Sequence, residues 1–66
     1  MLYKNVMMTY DSDKKITWYS NVITNNEVVV MECKHEFLVY VSSMNRSYLV
    51  DRKGMMEILK CEGMII

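Results

Sequence analysis

Residues 27–42 read EVVVMECKHEFLVYVS. This is the densest run of β-branched and aromatic residues in the chain, and such side chains fit a pleated sheet better than a helix. With turn residues on both sides, the run from Glu27 to Ser42 is either a hairpin or one long bent strand. The rest of the chain points the same way. It has no Ala and no Gln, both good helix formers, and no Pro. At 52% hydrophobic, its 66 residues suit one folded unit, residues 1–66, not a disordered tail. So short a chain has a marginal core, which a partner would reinforce.

The pattern predicts strands at 2–10, 16–24, 27–33, 37–42, 46–51 and 55–61. Polar 11–15 joins the first two. Asn25-Asn26 suits a two-residue type I′ turn, Lys34-His35-Glu36 a three-residue loop, and Met44-Asn45 another turn. Arg52-Lys53-Gly54 supplies a glycine for a left-handed position. These loops set Tyr10 opposite Ile16, Trp18 opposite Cys33, Cys33 opposite Phe37 and Val41 opposite Tyr48. All five turns then keep one apolar face in phase. That face carries Leu2, Val6, Met8, Trp18, Val22, Val29, Met31, Cys33, Phe37, Val39, Val41, Tyr48, Val50, Met56 and Ile58. The expected fold is all-β: a small antiparallel meander of five or six strands, able to curl into an SH3-like barrel. The alternative is α+β, with a short C-terminal helix built on Met55, Met56, Ile58 and Leu59 and stopped by Gly63. The tail Met64-Ile65-Ile66 favours burial.

No residue set fills the roles of an enzyme. Cys33, His35 and Cys61 are one ligand short of a structural zinc site, so no metal or cofactor is expected. Both cysteines read as reduced thiols in a cytoplasmic protein: Met1 to Tyr10 has no apolar leader, and no run is long enough to span a membrane. Eight basic and eight acidic residues balance, which removes the broad positive field of a general nucleic-acid binder. The basic pairs Lys14-Lys15 and Arg52-Lys53, with Tyr3, Tyr10, Trp18 and Tyr19, leave a small nucleic-acid-binding barrel as the second reading.

Met31-Glu32, Phe37, Tyr48-Leu49-Val50 and Met55 to Leu59 carry one resemblance. Residues 29–59 resemble the first half of LytTR-type DNA-binding domains, with Met55 standing where that family's helix begins. The match needs an insertion near Asn45, the chain lacks room for the family's remaining strands, and no functional residue carries across.

The second sheet face is too apolar to be an ordinary wet face. It presents Met7, Tyr19, Val30, Leu38, Tyr40 and Leu49 as partner-binding residues. A patch of that content marks a protein interface, unless the sheet folds over it. The expected function is therefore a non-enzymatic module that binds another protein and also itself. Its size suits an inhibitor or adaptor of the kind that phages and mobile elements encode.

Overall fold

Loop geometry decides how this chain is pleated. The computed structural model describes all 66 residues. Five strands are followed by one helix: β1 (Val6–Asp11), β2 (Ile16–Asn21), β3 (Glu27–Glu32), β4 (Phe37–Val41), β5 (Arg46–Val50) and α1 (Arg52–Cys61). The strands form one antiparallel meander in sequence order, with β1 and β5 as its two edges. The sheet is not closed into a barrel. The sixth strand expected at 55–61 is replaced by the C-terminal helix of the alternative reading.

Three hairpins share one loop format. Asp11 pairs with Ile16 and Val41 with Arg46, and Asn21 N–H donates to the Asn26 carbonyl. Each leaves four residues in the loop, and the last of them, Lys15, Asn25 or Asn45, has a positive φ of 56, 61 or 50°. In the first two, the Oδ1 of Asp11 or Asn21 accepts the backbone N–H groups two and three residues on, at 3.0 and 3.1 Å. Asp and Asn are the side chains that form such turns, and Asn tolerates the left-handed region. The β3–β4 hairpin differs: Cys33 N–H donates to the Glu36 carbonyl at 2.8 Å, leaving only Lys34-His35 between them.

These loops correct the expected registers. Asp11, not Tyr10, faces Ile16, and Trp18 faces Val29 instead of Cys33. Met31 faces Leu38, and Val39 faces Tyr48. The second and fourth hairpins slip by an even number of residues and keep their faces. The first and third slip by one, which moves every side chain between them to the opposite face. The error is therefore confined to β2 and β3. Trp18, Val29 and Met31, expected inside, lie on the outer face. Val28 and Val30 take their place and are buried.

The core lies between the sheet and α1. Val28, Val30, Val39 and Val41 meet Met55 and Leu59 of the helix and Met64 and Ile65 of the tail. Val6, Tyr19, Phe37, Tyr48, Val50 and Ile58 pack around them. The expected core residues Leu2, Met8, Val22, Cys33 and Met56 remain exposed.

The helix is punctuated at both ends. Asp51 caps it, its Oδ1 accepting from Gly54 N–H at 2.8 Å. Gly54 is thus not a left-handed turn residue. It lets α1 approach β5, since a Cβ there would stand 2.9 Å from Val50 Cβ. At the other end Gly63 has φ 73°. Met64 N–H donates to the Leu59 carbonyl at 2.9 Å, and Gly63 N–H to that of Lys60 at 3.1 Å. This is a Schellman stop, and its customary hydrophobic contact is made by buried Leu59 and Met64. The chain then pairs with its own beginning: Tyr3 N–H donates to the Met64 carbonyl and Ile66 N–H to that of Met1, both at 3.0 Å. Leu2 therefore bridges Ile65 instead of extending β1.

A polar clasp holds the end of the helix over the sheet. Glu62 Oε1 accepts from Asn26 Nδ2 and from Ser43 Oγ, each at 3.0 Å. Ser42 Oγ donates to Asn26 Oδ1 at 3.0 Å. One carboxylate thus ties α1 to the β2–β3 and β4–β5 loops.

Candidate functional site

Because α1 and the tail cover one face of the sheet, the other is left without a layer. Cross-strand pairing arranges that outer face in rows. One row runs Thr9, Trp18, Val29, Tyr40, Ser47. The next runs Asp11, Ile16, Met31, Leu38, Leu49. Met7, Ser20 and Glu27 form a third, shorter row. The first row is aromatic at its centre and the second aliphatic. Trp18, Leu38 and Tyr40 are each 36% exposed and Leu49 59%, so the patch is partly shielded by its own neighbours yet open. Tyr40 is held by its hydroxyl, which donates to Asn45 Oδ1 at 3.0 Å. On this face the strands present two carboxylates, Asp11 and Glu27, and no lysine or arginine; Arg46 and Glu32 are on the covered side.

Of the six residues expected to bind a partner, Met7, Leu38, Tyr40 and Leu49 lie together on this face. Val30 does not: it is 4% exposed and belongs to the core. Tyr19 is also on the covered side, half-buried against the core. Ile16, Trp18, Val29 and Met31 stand where those two were expected. The signal that could have placed them is Asp11. An Asp that closes a strand and caps the following turn belongs to the strand, and counting it so turns β2 over.

The covered side has two grooves flanking α1. A groove of about 340 Å³ beside β5 is lined by Met44, Tyr48, Ile58 and Cys61, with Glu57 and Glu62 among its walls. On the opposite flank, Met1, Leu2, Met8, Tyr19 and Met56 line a second of about 260 Å³. Burial in this region raises the Tyr19 phenol above its ordinary value.

The residues weighed for metal or catalysis are scattered. Cys33 and His35 line a polar hollow with Glu32, Lys34, Glu36, Phe37 and Arg52, whereas Cys61 lies in the groove beside β5. Both thiols are free and exposed. No group of three or more His, Cys, Asp or Glu side chains is placed to hold a metal ion. Of the basic pairs, Arg52 stacks over the Phe37 ring, 5.2 Å from its centroid. No helix is long and apolar enough to cross a membrane. Neither protein-family models nor curated proteins nor solved structures include a match to this chain. The likeness to LytTR-type domains therefore gains no support from family models.

Proposed function

We propose that this chain is a small non-enzymatic protein-binding module that docks through the outer face of its sheet. One observation carries the reading: two adjacent apolar rows, with Trp18 and Tyr40 in one and Met31 and Leu38 in the other, on a face that no helix covers. Contiguous exposed apolar patches of this kind mark interaction surfaces. Aromatics at such a centre supply large contact area at small entropic cost. An inhibitor or adaptor needs no more than this surface. The second reading, nucleic acid, is weakened by charge. Exposed Trp18 and Tyr40 resemble a stacking platform, but the ionisable groups of that face are acidic and repel phosphate.

The test is capture from cell lysate with and without nuclease, using the parent chain and a Leu49→Lys variant whose circular dichroism is unchanged. A protein retained after nuclease and lost with the variant supports the reading. Capture that vanishes with nuclease, or that ignores the face substitution, overturns it.

A further inference from the structure

We propose that the free edge of β5 and the groove beside it bind an extended, cationic peptide segment as an added strand. This edge is a surface separate from the outer face of the sheet and independent of it.

The backbone supplies the ladder. In an antiparallel sheet, successive residues turn their N–H and carbonyl groups alternately to one neighbouring strand and the other. Cys33 N–H donates to the Glu36 carbonyl and Ser42 N–H to that of Glu27, so Glu36, Leu38, Tyr40 and Ser42 turn theirs toward β3. Phe37, Val39 and Val41 therefore bond Val50, Tyr48 and Arg46 of β5. Ser47 and Leu49 are left with N–H and carbonyl groups aimed away from the sheet, and no turn or cap takes them up. An unpaired row of this kind is a template for another strand. Strand addition draws affinity from such groups and specificity from the side chains that alternate beside them.

The groove chooses those side chains. It runs between β5 and α1, with Tyr48 and Ile58 among its walls. A residue opposite Tyr48 on the added strand points to the same side of the sheet, into this space, where the apolar walls suit an aliphatic side chain. The charged groups lining the groove are both carboxylates, Glu57 and Glu62. Glu62 is engaged by Asn26 and Ser43, which leaves Glu57 to meet a ligand. Arg46, Lys53 and Lys60 are near in the chain but line none of it. A lysine or arginine two residues from the aliphatic one emerges on the same side and complements Glu57. The Tyr48 hydroxyl donates to the Met44 sulfur at 3.3 Å, a weak acceptor that a peptide carbonyl displaces. The other edge is less selective. Val22 N–H donates to the Asn5 carbonyl, so Met8 and Tyr10 of β1 point outward in the same way, but the groove beside them carries no charged side chain. A second copy of this chain, pairing β5 with β5, would bring its own Glu57 to the seam, like charge against like.

Amide exchange in the presence of the acetylated, amidated peptide Thr-Lys-Thr-Leu-Thr-Lys-Thr tests this. At saturating peptide, exchange at Ser47 and Leu49 should slow about tenfold or more, with Met8 and Tyr10 unchanged. The Cys61 thiol, in the groove, should react more slowly with a maleimide, and exposed Cys33 at its former rate. N-methylation of the two threonines beside the leucine blocks the donors that face β5 and should abolish binding. N-methylation of the leucine, whose N–H faces away, should spare it. Glu57→Lys, with circular dichroism unchanged, should weaken the peptide about threefold or more, and a peptide with Glu in place of Lys should recover that loss. Unchanged exchange at Ser47 and Leu49 in about 1 mM peptide overturns the proposal, as does protection at Met8 and Tyr10 instead. Binding indifferent to the threonine methyl groups or to Glu57 overturns it too. Protection of Ser47 and Leu49 that grows with chain concentration before any peptide is added gives the edge to a second copy and overturns the peptide as its occupant.

Discussion

Gly54 shows how one missing side chain positions a layer. In the interior of an exposed helix, glycine is about 1 kcal/mol worse than alanine, so Gly54→Ala would ordinarily stabilise. Here the added methyl would stand 2.9 Å from Val50 Cβ, an atom fixed to the backbone of β5. Overpacking of that kind costs about 1–3 kcal/mol. The clash outweighs the propensity gain, and urea denaturation of Gly54→Ala is expected to show a lower midpoint. Tyr19 makes a second prediction. Its folded-state proton affinity is raised by burial from the ordinary 10.0. A raised value means that folding favours the protonated phenol. The associated stability is complete below pH 10 and is lost as pH climbs through the folded value. Tyr19→Phe should flatten the alkaline limb of a stability–pH profile and leave the neutral region nearly unchanged.

At the level of elements, Asp51 is the residue on which the helix depends for its start. α1 has 10 residues, fewer than an isolated helix needs in water, so capping and packing must sustain it. Asp51→Ala removes the acceptor for Gly54 N–H and should cost about 1 kcal/mol, read as a lower thermal midpoint and faster amide exchange at 52–55. The strands were legible because β-branched and aromatic residues cluster between polar stretches, and the meander order followed from the short loops. The stop at Gly63 was legible too, since glycine before an apolar tail is a common C-cap pattern. What the pattern could not fix was the parity of two loops. A polar Asp at position 11 reads as turn, yet its backbone pairs as strand while its side chain closes the turn. At 34–35 no Asn or Gly marks the loop, so its length was open. Two slips of one residue then exchanged Trp18 for Tyr19 and Val29 for Val30. The outer face kept its expected members on β1, β4 and β5 and lost them on β2 and β3.

Over the whole molecule, the core is eight residues. At about 0.05–0.15 kcal/mol per residue, a chain of this length has roughly 3–10 kcal/mol of stability in hand. Leu59 is 1% exposed and joins the helix, the sheet and the Schellman stop. Leu59→Ala should cost about 2–5 kcal/mol, a large share of that total, and leave a substantial unfolded fraction by circular dichroism at 37 °C. Trp18→Ala, on the outer face, should cost the isolated chain far less. With so small a core beneath a broad apolar face, any partner that bound there would add stability.

The left-handed positions Asn5, Lys15, Asn25 and Asn45 fall on a ten-residue cadence with one beat missing at the β3–β4 loop. An even cadence acts as a ruler for growth. A duplicated block of twenty residues would enter the sheet as a complete hairpin, keep every existing side chain on its side, and widen the apolar rows by two strands. A single residue gained or lost in one of these loops would turn over the chain beyond it. Length changes of a whole hairpin therefore preserve the two faces of the sheet, and most smaller ones do not.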